Sequence, residues 1–361
     1  MLSIGIIGLP NVGKSTIFNA LNESAKAESS NYPFTTIEPN VGIVEVPDER
    51  LDKLAQIEKS EKKVSALIKF VDIAGLVKGA SEGAGLGNKF LSHIKEVDAV
   101  AMVVRCFENE NIIHVAGKVN PAEDIGVINL ELILADLEQV TKATERAGKE
   151  AKSGDKEAIK KLELLKKIKG ELEKETPIRD MDVETQGLAS LQLRDVQLIT
   201  NKPIFYIANI AENQIGKSAG DLGMPENSIF VCAKTEADLK ELDEEERREY
   251  LESLGGQVIH KSPLQEIIKK GYEILGLVSF LTAGPKEARA WTIKNGTKAP
   301  QAAGVIHGDF EKKFIAADVI SYEKFTEAGG WAKAREKGWV KTEGKEYEVK
   351  DGDTVIFKHG G

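Results

Sequence analysis

The residues richest in chemistry stand near the start of the chain. Gly8-Leu9-Pro10-Asn11-Val12-Gly13-Lys14-Ser15 fits G-x-x-x-x-G-K-[ST], after an apolar run and ahead of a helical one. That spacing lets the backbone N–H groups from Asn11 through Val12, Gly13, Lys14, Ser15 and Thr16 curl round a phosphate, with the positive end of a helix beneath it. Lys14 then bridges β- and γ-oxygens, and Ser15 supplies a hydroxyl to Mg²⁺. A plain glycine turn would leave Lys14 without a role. The motif therefore predicts a nucleoside triphosphate held with its metal.

Two elements follow in the order that a switch NTPase needs. Asn31-Tyr32-Pro33-Phe34-Thr35-Thr36 places hydroxyls on a loop, with Thr36 the candidate for the metal and Thr35 its neighbouring rival. Asp72-Ile73-Ala74-Gly75 ends an apolar strand with a carboxylate and a glycine, so Asp72 can hold a water on the metal and the Gly75 N–H can meet the γ-phosphate. Leu76 stands where many NTPases of this class carry the glutamine that orients the attacking water. Leucine cannot hydrogen bond, so the catalytic group must come from elsewhere or turnover must be slow. Gly79, Gly83, Gly85 and Gly87 read as a loop able to order around a γ-phosphate.

A base-reading site is expected at Asn209-Ile210-Ala211-Glu212, where GTPases hold N-K-x-D. The Asp of that motif accepts from guanine N1–H and N2–H₂, and the Lys stem covers the ring. Ile210 replaces the Lys, and Glu212 is longer than Asp by a methylene. Adenine presents an acceptor at N1 and a donor at N6, so weakened guanine selection and a shift towards adenine follow, with the Asn209 amide and Ile210 backbone as readers. Cys232-Ala233-Lys234 occupies the place of the next base-contacting loop.

These groups need an open sheet to position them. Apolar strands at 2–7, 41–46, 67–72 and 99–106 alternate with helical patterns such as 14–22, which predicts an α/β fold with both sheet faces covered. From Leu130 the pattern becomes helical, through Leu134, Leu137 and Val140, then Ile159, Leu162, Leu165, Ile168 and Leu172, with a turn at Ser153-Gly154-Asp155. This is an antiparallel helical hairpin, and it is inserted, because strand character resumes at 203–208 and 228–232. Residues 141–176 hold 11 basic and 8 acidic side chains, a local excess of 3 positive charges that suits contact with RNA or protein. After Leu277 short strands and glycines indicate a small β-rich domain, with a turn at Asp351-Gly352 before the last strand. The expected domains are 1–128 with 200–277 for the nucleotide, 129–199 for the helical insertion and 278–361 for the C-terminal piece.

Composition narrows the class. The chain has 361 residues, 49 Lys+Arg and 58 Asp+Glu, a net charge of -9, which argues against coating nucleic acid by bulk charge. Two cysteines, Cys106 and Cys232, form neither a disulfide framework nor a metal spacing and suit a reducing compartment. No run reaches membrane-spanning length and the start lacks a signal-peptide pattern, so a cytoplasmic protein is expected. His307 and Asp309 lack further ligands at metal spacing and read as structural or partner-contact residues.

Over nearly its whole length the chain resembles the YchF type of the Obg-like ATPase family. The resemblance is carried by G-L-P-N-V-G-K-S, F-T-T-I-E-P-N, D-I-A-G-L-V-K-G-A-S, R-C-F-E-N-E-N-I-I-H, G-K-V-N-P, N-x-x-E and A-P-Q-A-A-G-V-I-H-G-D-F-E-K. It implies a P-loop G domain with an antiparallel coiled-coil insertion, a C-terminal TGS domain of β-grasp shape, ATP preferred over GTP, and association with the ribosome. It also implies that His114, the histidine of N-I-I-H, replaces the missing glutamine, since an imidazole can orient the lytic water or take its proton. Asn11 matches the K⁺ ligand of related potassium-stimulated NTPases, which adds K⁺ to Mg²⁺ as an expected ion. The reading is an ATP-hydrolysing, monomeric switch that binds the large ribosomal subunit or ribosomal RNA and modulates translation or a stress response. Lys14, Gly75 and His114 are its catalytic residues, and Ser15, Thr36 and Asp72 its metal site. An Obg-type translational GTPase and a nucleotide-binding adaptor without turnover are the alternatives.

Overall fold

A computed structural model describes residues 1–26, 40–75, 85–182, 184–186, 188, 193, 195–239, 242, 245–246, 249 and 262–360. Thr35, Thr36, Leu76, Gly79 and Gly83 lie outside the described residues. Along the chain run β1 (Ser3–Ile7), α1 (Lys14–Lys26), β2 (Val41–Glu45), α2 (Glu49–Glu58), β3 (Lys62–Val64), β4 (Leu67–Asp72), α3 (Gly85–Glu96) and β5 (Ala99–Arg105). Then come α4 (Pro121–Glu150), α5 (Lys156–Leu172), β6 (Ile204–Asn209), β7 (Ile229–Val231), α6 (Ala233–Asp238) and α7 (Pro263–Ile274). The chain ends with β8 (Leu277–Ala283), β9 (Glu287–Lys294), α8 (Ala299–Ile306), α9 (Gly308–Lys312), β10 (Phe314–Ser321), α10 (Tyr322–Ala328), α11 (Trp331–Glu336), β11 (Lys341–Glu343) and β12 (Asp353–His359). Among the described residues no helix is long and apolar enough to cross a membrane.

Two compact units emerge, Met1–Gly42 with Lys69–Ile267, and Ile43–Ile68 with Ile268–Gly361. The first is built on β4, β1, β5, β6 and β7, which lie side by side in that order and run parallel. Every residue of β1 and β5 is buried, as expected of parallel strands covered on both faces. Parallel strands gather their C-terminal ends at one edge, which is where an open α/β sheet binds ligands. That edge carries the segment after Ile7, then Asp72, Arg105, Asn209 and Cys232.

The helical hairpin is present, and its inward stripe keeps Val140, Leu165, Ile168 and Leu172 as expected, with Leu162 partly buried, while Leu130, Leu134 and Ile159 fall outside it. Ile133, Val140 and Ala147 of α4 pack with Leu164, Leu165, Ile168 and Leu172 of α5, with Leu137 partly buried beside them. Leu130 and Leu134 are each 40% exposed. α4 begins at Pro121, capped by the Asn120 side chain, and packs against β5 as well as α5. Ile128, Leu132 and Ala135 form the buried face of its first half, and Leu130 and Leu134, two positions off that face, turn outward. Asp155 caps α5, and Gly154 at φ 82° closes the turn between the helices. A single helix therefore runs from the sheet to the tip of the arm.

In the second unit the sheet order is β11-β10-β12-β8-β9-β3. The β8–β9 hairpin is antiparallel, β12 lies parallel to β8 and antiparallel to β10, and the small residues Ala299, Ala302 and Ala303 seat α8 over Phe280, Phe314 and Val355. Hairpin, covering helix and a central parallel pair make a β-grasp arrangement. The segment 43–68, counted with the nucleotide domain in the sequence, groups here instead. Its β3 pairs with β9, Leu51 and Ala55 of α2 pack on Ala288, and Arg50 forks between Asp48 and Asp351 at 2.8 and 2.7 Å. Gly352 adopts φ 78° in the turn before β12.

Candidate functional site

Between Ile7 and Lys14 the chain must curl without side-chain interference. Gly13 stands at φ 87°, where L side chains are strained, and a Cβ there would collide with the Asn209 amide. A Cβ on Gly8 would fall 2.7 Å from the Val103 carbonyl. Both glycines are required by the geometry, which brings the loop over the sheet edge and the first amides of α1 to one side.

The loop borders a cavity of about 560 Å³ lined by Leu9 to Thr16, Asn40, Asp72, Ala74 and Gly75. Lys14 is buried and ion-paired to Asp72, whose second oxygen accepts from the Ser15 hydroxyl at 3.2 Å. Of the expected residues, Asn11, Val12, Gly13, Lys14, Ser15, Thr16, Asp72 and Gly75 are thus brought together. Asn40, Leu9, Pro10 and Ala74 join them without having been singled out in the sequence. Asn40 sits in the F-T-T-I-E-P-N motif, and its carbonyl accepts from the Asp72 amide at 2.9 Å. A hydroxyl beside a carboxylate is a hard-oxygen donor set, which fits Mg²⁺. Among the described residues no group of three His, Cys, Asp or Glu gathers elsewhere to hold a metal. His307 accepts from the Asp309 amide at 3.2 Å and so caps α9.

The residues expected to read the base are not among those lining that cavity. Asn209 is buried, its Nδ2 donates to the Val12 carbonyl at 2.8 Å, and its Oδ1 accepts from the Ala233 amide at 3.1 Å. Its amide braces the phosphate loop against the α6 start. The Ile210 N–H donates to the Val231 carbonyl at 2.9 Å, and the Asn209 carbonyl of the same peptide accepts from the Cys106 amide at 2.9 Å. Glu212 pairs with Lys234 at 3.4 Å, and Cys232 is buried at the head of α6.

His114 is placed differently again. It is 8% exposed and is not among the residues lining the cavity. Its Nδ1 accepts from the Ala116 amide at 3.2 Å, and Nε2 faces Asp124 Oδ2 at 3.0 Å. Arg105, fully buried at the end of β5, donates to the carbonyls of Phe107, Ile112 and Asn109 at 3.0, 3.1 and 3.3 Å, so it fastens the loop that carries His114. The carbonyl of Ile113 accepts from Asn11 Nδ2 at 3.2 Å, tying this loop to the phosphate loop. Burial raises the Asp124 pKa, an effect opposed by His114 and the nearby Arg105 charge, while burial lowers that of Arg105. Sequence reasoning missed both residues. An arginine ending the otherwise apolar Ala99–Arg105 strand was the available signal.

Comparison with known proteins places the chain in context. Residues 3–144 match a family model described as a 50S ribosome-binding GTPase, and residues 277–360 match the model named YchF-GTPase_C, described as a protein of unknown function. The ribosome-binding ATPase YchF of Bacillus subtilis is 50% identical over 369 aligned positions covering 99% of both chains. Its namesake in Escherichia coli O157:H7 is 50% identical, with 98% of each covered. The solved structure of the Schizosaccharomyces pombe YchF GTPase superimposes with a TM-score of 0.85 at 38% identity, covering 99% of this chain and 97% of that one.

Proposed function

The chain belongs to the YchF family, and on that premise we propose that it is an ATP-hydrolysing switch that binds the ribosome in a nucleotide-dependent manner. The observation carrying this reading is the convergence of Lys14, Ser15 and Asp72 on one cavity under a glycine-shaped loop. Relatives of half-identical sequence over full length are named ribosome-binding ATPases.

Lys14 pairs with Asp72 at the mouth of the loop. Phosphate binding transfers the ammonium to the β- and γ-oxygens, and the amides of Asn11 to Thr16 surround the same charge. Ser15 and Asp72, with Thr36 from beyond the described residues, would hold Mg²⁺, which neutralises charge on the phosphates when bound. The Gly75 N–H, at the lining of the same cavity, would meet the γ-phosphate. His114 supplies the hydrogen bond that Leu76 cannot make to the lytic water, and Asn11 would hold K⁺, which would add a further positive charge. Ile210 and the ion-paired Glu212 in place of the guanine-reading Lys and Asp support ATP over GTP. The arm, with its basic excess, and the β-grasp unit, read as a TGS domain, are the surfaces for the large ribosomal subunit or its RNA. The protein works as a monomer in the cytoplasm, where ribosomes are.

Calorimetric titration of nucleotide-free protein with Mg²⁺ complexes of non-hydrolysable ATP and GTP analogues in K⁺ buffer tests the nucleotide choice. The ATP analogue binds at least tenfold tighter, about 1.4 kcal/mol. A tenfold preference for the GTP analogue would make the protein a GTPase and would overturn the reading of Ile210 and Glu212.

A further inference from the structure

Burial around His114 is inverted. The imidazole is 8% exposed, while Ile113 and Val115 on either side of it are 79% and 51% exposed. Two branched aliphatic side chains stand in water so that one polar ring can be inside, the opposite of what transfer from water favours. Something specific must hold the ring there. Because Nδ1 accepts from the Ala116 amide, the ring proton is on Nε2 and is donated to Asp124, whose side chain is equally buried. Arg105 grips three carbonyls of the same loop from within, and its guanidinium lies 4.6 Å over the Phe107 ring. At the end of the loop Gly117 takes φ 75°, and its N–H donates to the His114 carbonyl at 3.0 Å, closing the turn that carries the ring.

Asp124 sits in the first turn of α4, and that helix is shared. Twelve residues on from Asp124, Asp136 accepts from the amides of Ile199 and Thr200 and from the Thr200 hydroxyl at 2.7–2.8 Å. It thereby fixes the segment leading into β6, whose last residue Asn209 braces the phosphate loop. The same helix continues to Glu150 as one side of the arm.

The geometry points to Asp124 as a positioning residue that holds His114 retracted from the phosphate loop, and to α4 as the element through which a partner on the arm releases it. The inference rests on the reading above, in which His114 assists hydrolysis and the arm meets the ribosome. Release opens the turn that Gly117 closes, frees the imidazole towards the phosphates and covers Ile113 and Val115. ATP binding does not depend on that movement, because the residues lining the cavity do not include His114.

Single-turnover hydrolysis at saturating ATP, with and without ribosomes, tests this with Asp124→Asn, which keeps the shape of the side chain and removes its charge. The ribosome-free rate rises roughly 3- to 10-fold, the affinity for an ATP analogue stays within about 2-fold, and stimulation by ribosomes shrinks by the same factor as the basal rate grows. A slower or unchanged basal rate at unchanged affinity overturns the latch and makes Asp124 a group that orients the productive ring. His114→Ala in both backgrounds separates the two layers. If it leaves hydrolysis unaltered, the role of His114 itself fails; if it abolishes the gain of Asp124→Asn, both stand. Should Asp124→Asn not fold, long-range ¹H–¹⁵N spectra of the five histidines in the unmodified protein decide the matter. Bound to the ATP analogue without ribosomes, His114 shows the fixed Nε2–H tautomer, and tautomer averaging as in an exposed ring would contradict the inference.

Discussion

The phosphate loop and the histidine loop lie on neighbouring strand ends, yet they are prepared in opposite ways. Around the phosphate cavity the backbone is already curled, and Lys14, Ser15 and Asp72 are exchanging hydrogen bonds among themselves that a ligand can take over. Around His114 the ring is sealed, with both nitrogens engaged and a buried arginine tying the loop beneath. On the proposed reading the difference is a separation of tasks: recognition of the triphosphate is built in, whereas hydrolysis waits on a rearrangement. Such a division suits a switch, whose bound state must outlast the encounter that reports it.

The largest effect should come from removing the histidine. His114→Ala lowers the ribosome-stimulated single-turnover rate by about 10²- to 10⁴-fold, the usual range for a general acid–base group, while ATP affinity measured by calorimetry stays near the wild-type value. Lys14→Ala does the reverse, with affinity for the ATP analogue falling about 10²-fold or more through loss of a charge-assisted phosphate contact. If both variants lost affinity alike, the separation between the two loops would collapse.

A third variant sharpens the part played by α4. Asp136→Ala leaves the amides of Ile199 and Thr200 buried without an acceptor, and urea unfolding followed by circular dichroism should register a loss of about 2–4 kcal/mol. An unchanged midpoint would remove the helix from the account as an anchor of β6. The smallest effect concerns Cys106, whose thiol burial pushes up to about 12. A thiol with so high a pKa holds almost no thiolate at pH 8, so Ellman's reagent should leave it unmodified in the native protein and label it only after denaturation. Rapid native labelling would place this strand end in solvent, where a sealed histidine loop has no support.

How much of this could be read from residues alone depended on whether the cause was local. The glycine loop, the strand alternation and the hairpin are set by short-range spacing, and they stand where that spacing puts them. The inward face in the first half of α4 was not legible, because Leu130 and Leu134 have the right period but the fold buries Ile128, Leu132 and Ala135 there instead. Segment 43–68 reads as part of an alternating α/β run, yet its α2 and β3 find their partners in β9 and Asp351, more than 200 residues away. Asn209 offers the same lesson at the site. Its position suggested base reading, and only the tertiary fold reveals that Val12 and Ala233 engage both ends of its amide. The pairing of His114 with Asp124 is close in sequence but depends on a loop turned inside out, which no periodicity announces.

The central claim is that this chain controls hydrolysis and leaves ATP binding ready made. Its most direct test is a paired measurement on the unmodified protein: the dissociation constant of a fluorescent ATP analogue and the single-turnover rate of ATP hydrolysis, each with and without ribosomes. The account predicts affinities within about 3-fold of each other and a rate at least 10-fold higher on ribosomes. A rate indifferent to ribosomes, or one that changes only in step with affinity, would contradict it.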